Sequence, residues 1–175
     1  MRVNHVGQES LWVTVYWKHM GDDFLSTNDV VEECLCFGWI DSRPRKKDDD
    51  SFLLLVSPRK TKSVWSAVNK QKIRRLIKEK LMTIHGLKKI KEAKANGSWE
   101  ALDKSDKLMI PQELKLDLEK NVKASRNFYD FPVSARRTLL EWIYSARLSS
   151  TKSRRIEKTV SMAAKGLRAN VGKKP

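Results

Sequence analysis

A chain of 175 residues with 40% hydrophobic side chains and six tryptophans can build a core, as one domain or one domain with a helical extension, and is not a disordered composition. Its 36 Lys and Arg against 21 Asp and Glu leave a formal net charge of +15, which brings an anionic partner into consideration. The two cysteines are spaced too closely for an unstrained disulfide, no window approaches the ~18 apolar residues of a membrane span, and the N-terminus has no apolar leader core. A soluble protein of a reducing, cytoplasmic compartment is therefore expected.

The charge is uneven. Residues 1–56 carry 6 basic and 10 acidic side chains, residues 57–99 carry 13 and 2, residues 100–135 carry 6 and 7, and residues 136–175 carry 11 and 2. Two separate segments thus supply the basicity. In the first, Leu11 to Tyr16 and Trp17 are β-branched and aromatic with partial alternation, which predicts a strand. Ser26 to Asp29 offers helix caps ahead of Val30, Val31, Cys34 and Leu35, and Gly38 stops that helix. Trp39-Ile40 begins a short second strand, residues 42–50 read as a charged turn, and Phe52 to Val56 reads as a buried third strand ended by Pro58.

From residue 63 the pattern is helical. Trp65, Val68, Ile73, Leu76, Ile77 and Leu81 form one stripe, and Thr83 caps a helix with Leu87, Ile90 and Ala93 inward, closed by Asn96-Gly97. Trp99 packs a short turn. Ile110-Pro111 opens the next helix, Asn121 separates it from Val122–Asp130, Pro132 breaks, and Ser134 caps a helix striped by Leu139, Leu140, Ile143 and Ala146. Ser149-Ser150-Thr151 reads as a turn before a last helix over 152–165, and residues 170–175 as a loose tail.

Several stretches invite chemistry. Cys34 and Cys36 point about 200° apart on a helix, and His5, His19 and His85 show no ligand spacing to them, so at least one thiol is read as core and no metal or cofactor is called for. Asp41 at a strand end could be catalytic, but basic neighbours from Arg43 to Lys47 favour pairing. Asp48-Asp49-Asp50 lacks the spacing of a calcium loop. The segment from Ser57 to Ser66 combines Arg59, Lys60, Lys62, Ser63 and Trp65 ahead of a helix N-terminus, a pattern that suits phosphate or carboxylate; its plainer reading is a capped loop. The last two helices resemble a helix–turn–helix, with Arg154 and Arg155 early on the second, although the turn has no Gly and a solvated basic face would look the same.

Taken together, Val30 to Ser42, Ser57 to Lys60, Trp65 to Asn69, Gly97 to Leu102 and the helical end from Ile110 to Ile156 resemble the YdeI/OmpD-associated, or bacteriocin-protection, family over about residues 10–166. The chain departs from the family's pattern at Leu55-Val56 and at Lys80-Leu81-Met82. The resemblance implies no reaction; it implies a part in stress or bacteriocin tolerance.

The expected fold is α+β: a small N-terminal sheet with one helix over residues 1–105, then a mainly helical OmpD-associated-type domain over residues 106–170. The leading functional expectation is a non-enzymatic binder of nucleic acid or another polyanion through Arg59, Lys60, Lys62, Trp65, Arg154 and Arg155. Two alternatives stay open. One is a small-molecule or enzyme site around Trp39, Asp41, Arg59, Ser63 and Trp65. The other is DNA reading by the basic helix pair. A protein partner and the oligomeric state also stay open.

Overall fold

The computed structural model describes Gly7 and residues 9–169. The chain is α+β and divides into two compact units, Met1–Glu100 and Ala101–Pro175. In the first unit, β1 (Leu11–Tyr16) is followed by a 3-10 segment (Lys18–Asp23), α1 (Thr27–Phe37), β2 (Trp39–Lys46), β3 (Ser51–Pro58), α2 (Ala67–Lys78) and α3 (Ile84–Ala95). The sheet is antiparallel in the order β1-β3-β2. Central β3 lays Phe52, Leu54 and Val56 into the core, opposite Val15, Val13 and Leu11 of β1.

α1 forms where its caps say it should. Ser26 Oγ accepts the Asp29 amide at 3.1 Å, while the Ser26 amide donates to the Asp29 carboxylate at 3.2 Å. At the other end Gly38 adopts φ +74°, the left-handed conformation that closes a helix. Cys34 and Cys36 are both buried, at 2% and 5% exposure. The expectation that one of them packs inside extends to both, because α1 packs against β2 as well as against α2 and α3.

β2 is longer than its apolar start predicts. It runs to Lys46 with a register shift between Asp41 and Pro44, so most of the expected charged turn is strand. Pairing with apolar β3 holds it extended, and as an edge strand it tolerates Pro44 and keeps Ser42 to Lys46 exposed. The remaining turn ties up its own carboxylates. Asp48 accepts the Ser51 hydroxyl at 2.7 Å, Asp49 pairs with Lys46 at 2.7 Å, and Asp50 meets His19 at 3.0 Å.

The stripe predicted for α2 is only partly internal. Ile73 and Leu76 are buried, whereas Val68, Ile77 and Leu81 are exposed. In α3, Ile90 and Ala93 point inward but Leu87 is exposed. Gly86 lies so close to α1 that a Cβ on it would sit 2.4 Å from the Cys36 carbonyl oxygen and 2.8 Å from that of Leu35. Thr83, which caps α3, donates its hydroxyl to the same Cys36 carbonyl at 2.6 Å.

The second unit contains α4 (Asp103–Asp106), α5 (Gln112–Glu119), α6 (Val122–Asp130), α7 (Val133–Tyr144) and α8 (Ser149–Ala164). Leu114, Leu118, Phe128, Leu139, Ile143 and Ile156 are among the side chains of its core. Two expected boundaries move. α7 begins at Val133 with Pro132 as its cap, not at Ser134, because proline presets the turn. α8 takes in the expected turn Ser149-Ser150-Thr151: Leu148 is extended and its carbonyl accepts the Lys152 amide at 3.0 Å. The tail expected at residues 170–175 lies outside the described residues.

Candidate functional site

Two clusters contain the residues singled out by sequence, one in each unit. In the second unit, Arg154, Arg155 and Lys158 follow one another at i, i+1 and i+4 on α8, so helical geometry gathers their charges on one face. With Trp142 of α7 they line a cavity of about 320 Å³. Arg154 and Lys158 are exposed, while Arg155 and Trp142 are half-buried. The Arg155 guanidinium lies 5.1 Å from the Trp142 ring centroid, and its Nη1 donates to the Trp142 carbonyl and, at 2.9 Å, to the Ser145 hydroxyl.

These bonds orient a cation without neutralising it. Among the described residues, no carboxylate forms an ion pair with Arg154, Arg155 or Lys158. Lys152, one turn earlier, is different: it donates to Glu113 at 2.6 Å, which holds that carboxyl below its ordinary value. The α7–α8 connection is four residues long, 145–148, and Arg154 and Arg155 are not buried against acids of residues 100–135. Lys152 and Lys158 share the early, basic stretch of the last helix that the sequence already showed, whereas Trp142 is the member of this cluster not read as a site residue. Its signal was a Trp lying off the Leu139, Leu140, Ile143 stripe.

In the first unit, the segment after β3 splits into an outside and an inside. Lys60 and Lys62 are exposed and Ser63 is half-buried. Arg59 and Trp65 are not loop-tip residues: they are 3% and 1% exposed. The hydrogen bond from the Arg59 amide to the Gly38 carbonyl at 3.0 Å carries the β2–β3 pairing one residue past Pro58, to the cap of α1. There the guanidinium carbon stacks 3.7 Å from the Trp65 ring centroid, and Trp65 packs on Trp99 with centroids 5.2 Å apart. Direct contact of Arg59 or Trp65 with a surface-bound polymer is therefore not available in this conformation.

Trp39 is likewise internal, at 2% exposure. It helps line a cavity of about 190 Å³ together with Gly38, Pro58, His85 and Lys88, a set that includes neither Asp41 nor Arg59. Asp41 is half-buried and, among the described residues, makes no ion pair with Arg43 or Arg45; its negative charge instead reaches Arg59 and Cys34. Burial pushes the Arg59 guanidinium down to about 10, with Asp41 opposing, so it is charged at neutral pH. Burial, Asp41 and Glu33 push the Cys34 thiol up to about 12, and Cys36 moves in the same direction, chiefly through burial. Neither thiol is a ready nucleophile. Among the described residues, no group of three or more His, Cys, Asp or Glu is placed to hold a metal ion, and no helix is long and apolar enough to cross a membrane.

Residues 1–89 match a family described as a domain of unknown function, DUF8412. Residues 107–166 match the family described as bacteriocin-protection, YdeI or OmpD-associated. The latter covers α5 to α8, a narrower span than the resemblance read from residues 10–166. No curated protein matches, and no solved structure does. The chain belongs to the DUF8412 family through its first half, and in its second half residues 107–166 are similar to the bacteriocin-protection, YdeI or OmpD-associated family.

Proposed function

We propose that the protein is a non-enzymatic binder of an anionic partner and that the contact is made by the basic face of α8. The supporting observation is the cavity of about 320 Å³ in which Arg154, Arg155 and Lys158 converge beside Trp142 without a carboxylate partner among the described residues. Like charges at i, i+4 cost a helix a few tenths of a kcal/mol, about 0.2–0.5. Phosphate or carboxylate groups would offset that cost, and an oriented guanidinium over an aromatic ring suits either. The description of the family matched by residues 107–166 favours a role in bacteriocin protection. Two buried, unpaired thiols fit a reducing, cytoplasmic setting.

Binding of the full chain to single-stranded RNA, duplex DNA and acidic lipid vesicles, measured across a salt series, tests this reading. The expected result is affinity that falls as salt rises. In Arg154→Ala/Lys158→Ala the slope against log salt should drop by about two on the preferred nucleic acid. Undetectable binding at low salt, or binding untouched by the double substitution, would overturn it.

A further inference from the structure

Arg59 has a feature that sequence could not display. Its guanidinium is held on one face by Trp65 at 3.7 Å, and its Nη1 is committed to the Val64 carbonyl at 2.9 Å. The other edge, Nε and Nη2, is buried and has no hydrogen-bond partner among the described residues. That edge is the side-on fork whose two parallel N–H groups match the two oxygens of a carboxylate or phosphate. A buried cation with two unmet donors is costly, and such a group calls for a partner. The carboxylate whose charge acts on it is Asp41, yet no ion pair joins them among the described residues. Asp41 is paired opposite Val56 in the β2–β3 ladder, so its backbone is not free to follow the guanidinium. Asp41 itself is half-buried, unlike Arg59 and Trp65.

We propose that the Nε–Nη2 edge of Arg59 is an oxyanion-binding site, taking two coplanar oxygens of a small carboxylate or phosphate that enters beside Asp41. The site is built from residues of the first unit, none of them on α8. The stack on Trp65 and the Val64 bond fix the plane of the fork in advance, so binding needs little reorganisation of the cation itself. Asp41 sets the selectivity: its charge disfavours weakly held anions and keeps the guanidinium ionised between occupants.

The test reads the Arg59 Nε–H group directly, by proton–nitrogen NMR on the full chain. Acetate and inorganic phosphate are titrated separately at constant ionic strength, with chloride as the control. The expected result is a saturable shift of the Arg59 Nε–H resonance with one or both oxyanions and none with chloride, the two arms showing which oxyanion is preferred. Asp41→Asn should bind several-fold more tightly. A rise in melting midpoint with the same anion should persist in Arg154→Ala/Lys158→Ala. In Arg59→Lys, which keeps charge but has no fork, the anion should bind about tenfold more weakly. Should that variant not fold, the wild-type titration alone decides. A resonance that no oxyanion moves would overturn the proposal, as would one that responds only to Asp41→Asn, since water or Asp41 would then fill the fork.

Discussion

Individual residues show how closely the first unit is built. Gly86 has two backbone carbonyl oxygens within 2.8 Å of where a Cβ would stand, and neither can swing aside as a flexible side chain would. Gly86→Ala should therefore cost about 1–3 kcal/mol in chemical unfolding. The buried thiols predict a pH effect. Below about pH 9 Cys34 holds its proton whether the chain is folded or not. Above it the unfolded thiol ionises while the folded one, held near 12, does not. Between pH 9 and 10 the unfolded state binds fewer protons, so stability should fall with rising pH, by up to about 1.4 kcal/mol per unit from this thiol. A denaturant series at pH 8.5, 9.5 and 10 should show the decline in wild type and a flatter one in Cys34→Ala. Cysteine burial was half legible: helical spacing separated the two thiols, but only the packing of α1 against strand and helices on different sides explains why both are inside.

At the scale of elements, local signals worked where they were chemical and failed where a neighbour decided. The Ser26 capping box, Gly38 and Thr83 bound their helices as read. Ser26→Ala should accordingly lose about 1 kcal/mol, measured by denaturant midpoint. β2 was misjudged because its polar residues carry no strand signal of their own; β3 supplies the extended conformation through pairing. The start of α8 was misjudged because Ser149 to Thr151 have turn-forming side chains, yet the Leu148 carbonyl closes a helical turn over them. The basic face of α8 was visible in the spacing of Arg154, Arg155 and Lys158. The burial of Arg59 was not, because an Arg in a basic segment reads as exposed and only the fold stacks it on Trp65 and bonds it to the Val64 carbonyl. If that α8 face is kept for a partner, it is kept against the helix's own interest. Arg154→Ala should raise the low-salt melting midpoint slightly, by about 0.2–0.5 kcal/mol in stability, while it weakens anion binding.

For the whole molecule, the change in hydrophobic period near residue 63 falls inside the first unit, whose core joins the sheet to α2 and α3, and the second unit has a core of its own. The net charge of +15 is far from zero, so self-repulsion opposes the compact state. Moderate salt, which screens such repulsion beyond about 10 Å at 0.1 M, should raise the melting midpoint, and acidic polymers that bind should raise it further at low salt. The same salt should weaken the proposed α8 contact, so stability and binding are expected to move in opposite directions along one titration.

The bond from Arg155 to the Trp142 carbonyl adds a consequence of its own. That carbonyl belongs to the last turn of α7, where helix acceptors outnumber donors, and Ser145, which shares the guanidinium, is the residue that caps the turn. Arg155 is therefore a clasp on the end of α7 as well as a charge on the face of α8. An anion that draws the guanidinium toward itself would unfasten that clasp, and amide exchange at residues 143–146 would quicken. The end of one helix would then report occupancy on another, with no ligand label required.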